Sequence, residues 1–134
     1  GYDFSYSGLK TAVINYCHTR EQKGEEYSRA DVAASFQAAA CGVLAERAVA
    51  AAKEKKCKTI AAGGGVIANG YLRELLQKEC GAGGIRLVLP GKKYCTDNAA
   101  MIAAEGLVQY HAKNFADLSI NACAHIPLGK KGKQ

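Results

Sequence analysis

The spacing of apolar and polar residues changes several times along the chain, and each change predicts a new element. Residues 2–6 (YDFSY) alternate aromatic and polar side chains, which is typical of a short strand that Gly8 would end. From Leu9 to Lys23 the spacing is helical, and Gly24 follows as a helix stop. One face of this predicted helix carries Leu9, Val13, Tyr16 and Cys17.

A long alanine-rich helix is predicted next. Ser28, followed by Asp31 three residues later, resembles a capping box, and the helical pattern continues to about Lys55. No apolar run approaches the roughly 20 residues that a membrane-spanning helix needs, so we expect no contact with a membrane. The predicted buried face of this helix consists of Val32, Phe36, Ala40, Val43 and Leu44.

The middle of the chain predicts a β-α-β unit. Residues 59–62 and 85–89 are short apolar runs, bounded by three glycines and by Pro90 respectively. Residues 69–79 between them have helical spacing. Two strands joined in this way should be buried, parallel and connected by a right-handed crossover. The leucines expected on the inward face of the connecting helix are Leu72, Leu75 and Leu76.

A last helix is predicted from Thr96 to about Lys113, before an irregular segment that contains Pro127 and Gly129. This order of elements belongs to the α/β class, with helices covering a small sheet. Ligands of such sheets bind outside the carboxyl ends of the strands. The loops that follow the two strands, residues 63–69 and 91–97, should therefore be neighbours at one edge of a cleft.

Charge and cysteine content narrow the class of protein. The 134 residues suffice for one domain with a core, and the net charge of +6 permits contact with a polyanion such as RNA. The alternative is that the lysines of residues 53–58 suit a helix end and that those of residues 130–133 form a tail.

No C-x-x-C pair occurs, so we expect reduced, buried thiols of a cytosolic protein. The six cysteines are Cys17, Cys41, Cys57, Cys80, Cys95 and Cys123.

The glycine turn after the first predicted strand partly fits a dinucleotide-binding pattern. Gly63, Gly65 and Ala68 occupy the positions of G-x-G-x-x-A. An NAD site also needs an acidic residue at the end of the second strand, and IRLVLPGKK from Ile85 to Lys93 contains none. The pattern is therefore weak evidence for NAD.

Other common catalytic patterns are missing from the sequence. Ser7–Thr11 is not a Walker A loop, because Leu9 separates Gly8 from Lys10, and we interpret it as a strand-to-helix turn capped by Ser7. The sequence contains no G-x-S-x-G elbow and no H-E-x-x-H pair.

Two polar residues at predicted helix starts are candidate site residues. Asn69 offers a donor and an acceptor to a ribose or a base edge beside bare glycine backbone, or it only caps its helix. Asp97 is a candidate metal ligand or phosphate-side acid, and the alternative is helix capping by Thr96 or Asp97. One carboxylate cannot hold a metal alone. None of the histidines, His18, His111 and His125, is paired at helical spacing with a further ligand.

Three blocks together resemble the TsaD family of tRNA threonylcarbamoyltransferases, also labelled glycoproteases or O-sialoglycoprotein endopeptidases. They are DFSYSGLKTAV at 3–13, GGVIANGYLRELL at 64–76 and CTDNAAMIAAEG at 95–106. The resemblance implies an α/β chain that is part of an actin-like ATPase fold (ASKHA, ribonuclease H-like). It further implies that residues 1–128 are the C-terminal portion of a two-lobed enzyme, with residues 129–134 as a basic tail.

The resemblance also implies roles for individual residues. Asn69, with Gly64 and Gly65, would bind ATP, ADP or threonylcarbamoyl-AMP, and Asp97 would be one ligand of iron or zinc. The other metal ligands of the family come from an H-x-x-x-H motif in an N-terminal half that this chain lacks. We therefore assign no catalytic residue in this segment and expect it to be inactive alone.

The implied reaction transfers threonylcarbamoyl from its adenylate to the adenosine beside the tRNA anticodon, in the cytoplasm. The implied partners are tRNA, TsaB and TsaE. The alternatives are a metal-dependent glycoprotease, as in the older family label, and a non-catalytic nucleotide-binding scaffold of the TsaB type.

Overall fold

The structure is a computed structural model of the chain, and it describes residues 2–3 and 5–122. The chain divides between Thr96 and Asp97 into two compact units, which are described separately below. The first unit contains the predicted α/β arrangement, and the second contains a single helix among its described residues. The α/β class is therefore confirmed.

The first helix, α1, runs from Tyr6 to Lys23 and begins earlier than predicted. The strand predicted at residues 2–6 is wrong, because the helix already starts within it and Gly8 lies inside the helix. An extended segment needs a partner strand for its backbone groups, and none pairs with it among the described residues. Capping by Ser7 is also wrong, since Ser5 is the N-terminal boundary residue and Ser7 lies in the first turn. Gly24 ends the helix as predicted, with φ of 66°.

The second helix, α2, extends from Arg29 to Glu54. Its predicted cap is confirmed, because the Ser28 hydroxyl accepts a hydrogen bond from the Asp31 N–H at 3.1 Å. The predicted buried face is largely wrong, since Phe36 is 38% exposed and the buried residues lie further along the helix. The reason is that the residues from Cys41 onward pack in the two core clusters with α3 and the strands, whereas the residues before Cys41 do not belong to either cluster. The buried residues of α2 are Cys41, Ala45, Val49 and Ala52.

By length and composition α2 is also apolar enough to cross a membrane, which corrects the prediction that no segment approaches this size. A core helix in a globular protein meets the same criterion, so this is weak evidence for a membrane span. Ala45 and Val49 are buried among other residues of the first unit.

Two parallel strands form the sheet of the first unit. β1 spans Thr59–Ala61 and β2 spans Arg86–Val88, with Ile60 paired to Leu87 in the register. The parallel β-α-β prediction is confirmed. The prediction that both strands are buried is wrong, because only their central residues pack against the helices while their outer residues are exposed.

The helix between the strands, α3, runs from Gly70 to Ala82. Leu72 and Leu76 are buried and Leu75 packs against them, so the predicted inward face is confirmed. The chain then turns back into β2 through Gly84, whose φ of 63° favours glycine.

The cysteines are free, as predicted, at the five positions that the structure describes. Burial raises the pKa of the thiols of Cys41 and Cys80. The expectation of buried thiols is confirmed for Cys41, Cys80 and Cys95, but Cys17 is only half-buried and Cys57 is exposed, because it lies in the lysine-rich connection between α2 and β1. Cys123 lies outside the described residues.

The second unit contains α4, from Ala99 to His111. This helix is shorter than the predicted 96–113, because its N-cap is Asn98, whose side-chain oxygen accepts a hydrogen bond from the Met101 N–H at 3.0 Å. The irregular segment predicted after this helix is confirmed as far as residue 122, and residues 123–134, which include the predicted basic tail at 129–134, lie outside the described residues.

Candidate functional site

The glycine turn follows directly from the end of β1. Gly64 has φ of 92° and ψ of 170°, a backbone region that is essentially restricted to glycine. A Cβ atom built on Gly63 or Gly64 would meet no atom within 4 Å among the described residues. One turn of 3₁₀ helix, Gly65–Ala68, then leads to Asn69. The turn therefore offers open, bare backbone at the carboxyl end of a parallel strand.

Asn69 makes two side-chain hydrogen bonds at the start of α3. Its Oδ1 accepts from the Leu72 N–H at 3.0 Å, so capping of the helix is confirmed. Its Nδ2 donates to the Gln37 side-chain oxygen of α2 at 3.2 Å. A side-chain amide has two N–H donors and two acceptor lone pairs. The cap and the bond to Gln37 together therefore leave one donor and one acceptor of Asn69 for a ligand.

The loop after β2 lies beside the glycine turn, as predicted for residues up to Thr96. It contains a 3₁₀ turn, Lys92–Tyr94, and then the buried Cys95. A Cβ atom on Gly65 would come within 4.0 Å of the Thr96 methyl group, and one on Gly70 within 3.9 Å of the Lys92 ammonium. The Lys92 ammonium therefore lies next to the N-terminal end of α3, and a helix N-terminus itself favours binding of an anionic group.

Arg73 connects the two loops, and sequence reasoning missed this residue. Its guanidinium donates to the Ile67 carbonyl at 3.0 Å and to the Pro90 carbonyl at 2.6 Å. The one feature of the sequence that distinguishes Arg73 is its charge, because a cation near the N-terminus of a helix opposes the helix dipole.

An apolar cleft of about 290 Å³ lies on one side of the glycine turn. It is lined in part by Gly63 and Val66 of the turn, by Ile60 of β1 and by Leu44 of α2. Flat apolar groups such as a nucleobase are well matched to a lining of this kind.

Asp97 opens the second unit and does not cap its helix. The proposed capping by Thr96 or Asp97 is wrong, since Asn98 has that role. The Asp97 carboxylate is exposed and makes no hydrogen bond or ion pair with the residues that the structure describes. No contact among the described residues therefore explains why position 97 carries an acidic side chain.

The described part of the chain contains no group of three or more His, Cys, Asp or Glu residues that could hold a metal. His18 and His111 are exposed, and His125 lies outside the described residues. Iron and zinc sites need several protein ligands. Asp97 alone therefore does not fit a metal, and any such site would need ligands from elsewhere.

The lysines near the end of α2 lie at the other end of β1 from the glycine turn. Lys55 forms an ion pair with Glu54 at 3.2 Å, and both side chains are well exposed. Because these lysines precede β1, they are at the amino end of the sheet. The exposed lysines in this stretch are Lys53, Lys55, Lys56 and Lys58.

Comparison with known proteins gives one consistent family. The family model TsaD, tRNA N6-adenosine threonylcarbamoyltransferase, matches residues 1–104. Curated proteins of that name are 46% identical to the chain over 129 residues in Clostridium botulinum (strain 657), 48% over 126 residues in Moorella thermoacetica and 52% over 129 residues in Lactobacillus delbrueckii subsp. bulgaricus.

These matches cover almost all of this chain but a smaller part of each relative. They extend over 94–96% of the chain and 37–38% of the relatives. The chain therefore spans less than two fifths of the length of these relatives, and it corresponds to their C-terminal part.

Proposed function

Because the chain belongs to the TsaD family of tRNA N6-adenosine threonylcarbamoyltransferases, we propose that it forms the C-terminal portion of such an enzyme. The sequence resemblance to this family is thereby confirmed. The proposed reaction moves the threonylcarbamoyl group from threonylcarbamoyl-AMP to the exocyclic nitrogen of the adenosine beside the anticodon. We further propose that the fold is part of a two-lobed actin-like ATPase of the ASKHA class.

The observation that carries this proposal is the glycine turn with Asn69 behind it. Bare backbone at Gly64 and Gly65 permits close approach of a ribose or base. Asn69 keeps one donor and one acceptor after it has capped α3 and bonded to Gln37. The adjacent apolar cleft would accept the flat face of an adenine. ATP, ADP and threonylcarbamoyl-AMP share the adenosine that such a site would bind.

Asp97 is proposed as one ligand of an iron or zinc ion whose other ligands lie outside this chain. The support is its exposed carboxylate, which has no capping role. Such a metal would act as a Lewis acid toward the acyl adenylate. The segment on its own is expected to be inactive.

The proposed partners are tRNA, TsaB and TsaE, and the proposed location is the cytoplasm. The support for tRNA is the family name together with the net charge of +6. The lysines at the amino end of the sheet are exposed and could contact phosphates.

A chimera tests the proposed function. Residues 1–134 would replace the matched segment of the Lactobacillus delbrueckii relative, and cells depleted of their own TsaD protein would express the chimera. We expect threonylcarbamoyladenosine in bulk tRNA, measured by nucleoside mass spectrometry, to return to the level given by the intact relative. If the chimera accumulates as folded protein and the nucleoside stays absent, the transferase proposal is wrong.

Two substitutions separate ligand binding by Asn69 from helix capping. Asn69→Ala removes both, whereas Asn69→Ser keeps a hydroxyl that can cap α3. We expect both variants of the chimera to bind adenine nucleotides more weakly by about 1–3 kcal/mol, because a polar contact is lost. Both variants lose the hydrogen bond to Gln37, but Asn69→Ala should lower the free energy of unfolding by about 1 kcal/mol more than Asn69→Ser, because it also loses the cap.

Calorimetric titration with ADP and chemical denaturation measure the two effects. If Asn69→Ser binds ADP as tightly as the unchanged chimera, Asn69 is only a cap.

A further inference from the structure

We propose that Arg73 is a positioning residue that fixes the glycine turn and the loop after β2 as one rigid body. Its importance for ligand binding rests on the proposed function, whereas its effect on the two loops does not. The guanidinium group of Arg73 contacts Ile67 of the glycine turn and both Pro90 and Cys95 of the segment that follows β2.

In the part of the chain that the structure describes, the two loops do not pair as strands beyond the ends of β1 and β2. β1 and β2 pair over three residues each, and the last backbone hydrogen bond joins the Ala62 N–H to the Val88 carbonyl. Further along, the first loop turns into Gly65–Ala68 and the second into Lys92–Tyr94. Their relative position must therefore come from side chains.

Arg73 supplies this connection with charged hydrogen bonds. One guanidinium nitrogen donates to the Ile67 carbonyl at 3.0 Å and the other to the Pro90 carbonyl at 2.6 Å. Hydrogen bonds from a charged donor are stronger than those between neutral groups. Arg73 itself is anchored in α3 and is only half-buried. The guanidinium thus joins α3 to the glycine turn at Ile67 and to the start of the loop after β2 at Pro90.

Cys95 extends the same network and provides a reporter for it. Its sulfur lies 3.6 Å from the guanidinium nitrogen that contacts Ile67, and its thiol donates to the Gly91 carbonyl at 3.6 Å. Cys95 is 3% exposed, although it lies in a loop. If Arg73 holds this loop in place, loss of the guanidinium will expose the Cys95 thiol.

Lysine cannot take over this role. The planar guanidinium presents donors in several fixed directions, whereas an ammonium is a single point of charge. Arg73→Lys therefore keeps the charge and most of the stem, but its donors lie on a single nitrogen, whereas the guanidinium contacts the Ile67 and Pro90 carbonyls from two different nitrogens. This makes Arg73→Lys the decisive variant, and Arg73→Met the more severe one.

The test compares thiol alkylation in the 134-residue chain. Native protein is treated with iodoacetamide, and the modified fraction of each cysteine is followed by peptide mass spectrometry. In Arg73→Lys and Arg73→Met we expect Cys95 to react at least roughly tenfold faster than in the unchanged chain, because hydrogen bonds from a charged group are lost. Cys41, which is buried in α2, reports general unfolding and should stay protected.

Arg86→Met is the matched control. Arg86 is an exposed arginine on β2 whose side chain makes no hydrogen bond with the described residues. The Arg86→Met variant should therefore leave the Cys95 thiol as protected from iodoacetamide as it is in the unchanged chain. The proposal is overturned if Arg73→Lys protects Cys95 as well as arginine does, or if Cys95 and Cys41 become reactive in parallel.

A second measurement connects the network to the ligand. In the chimera, Arg73→Lys should weaken ADP binding roughly tenfold, whereas Arg86→Met should leave ADP binding unchanged. If Cys95 becomes reactive and ADP affinity is unchanged, the link to the ligand is wrong and the link between the loops stands. If the unchanged chimera binds no adenine nucleotide, the proposed function fails, and the Cys95 experiment still decides the role of Arg73.

Discussion

Replacing Asp97 with alanine in the chimera is expected to reduce the restored threonylcarbamoyladenosine by at least roughly a hundredfold. Even residues that only orient metal ligands alter affinity or activity by about 10–100-fold, and Asp97 is proposed as a ligand itself. Because its carboxylate is exposed and Asn98 caps α4, the free energy of unfolding should not change. We therefore expect Asp97→Ala to lose bound metal and activity while the amount of folded protein stays the same.

Two neighbours provide the controls for Asp97. Asn98→Ala should destabilise the chimera by about 1 kcal/mol through loss of the cap while activity persists. Asp117→Ala removes another exposed carboxylate of the second unit, and should change neither metal content nor activity. Metal content is measured by elemental mass spectrometry of purified protein. Unchanged metal and activity in Asp97→Ala would show that Asp97 is not a ligand.

The second large effect is expected from Gly64→Ala. The φ of 92° and ψ of 170° at Gly64 would be imposed on a residue with a Cβ, at a cost of about 1–3 kcal/mol. Space is not the cause, since a Cβ at this position meets no atom within 4 Å among the described residues. The free energy of unfolding of the 134-residue chain should fall by this amount, or the turn should rearrange and ADP affinity in the chimera should fall instead.

Gly63→Ala is the matched control for Gly64→Ala. Gly63 lies in the same turn and has equal space for a Cβ, but its φ is not positive. It should change both the free energy of unfolding and ADP affinity little. If the two alanine variants behave alike in denaturation and in titration, backbone strain does not explain the glycine at position 64.

The parts of the fold that local chemistry determines were predictable from the sequence. Ser28 caps α2, Gly24 ends α1, and the short apolar runs around the leucine-bearing helix form parallel strands. Each of these depends on a side chain or a glycine close to the element that it defines. Such signals do not require knowledge of the tertiary neighbours.

Features that depend on distant neighbours were predicted less well. The aromatic alternation at residues 2–6 resembled a strand, yet α1 begins at Tyr6, and no strand among the described residues pairs with this segment. The buried face of α2 was predicted from apolar residues such as Phe36, whereas contact with α3 and the sheet buries Ala45 and Val49 instead. Periodicity shows that a helix has a face, but the packing partner decides which part is buried.

The candidate site shows the same division. Gly64 and Asn69 could be identified from the sequence, because a turn with positive φ requires glycine and the first position of a helix favours asparagine as a cap. Arg73 was not, because its contacts with the Ile67 and Pro90 carbonyls join segments that are distant in sequence. The proposed ligand roles of Asn69 and Asp97 remain predictions.

The double use of the Asn69 amide has an evolutionary consequence. The same group caps α3 and holds Gln37 of α2, so a substitution that tuned ligand affinity would also alter how two helices are joined. Selection cannot adjust one property without the other at this position. Changes in nucleotide preference within such a framework would have to arise at neighbours that carry a single role, such as the exposed Val66 of the glycine turn.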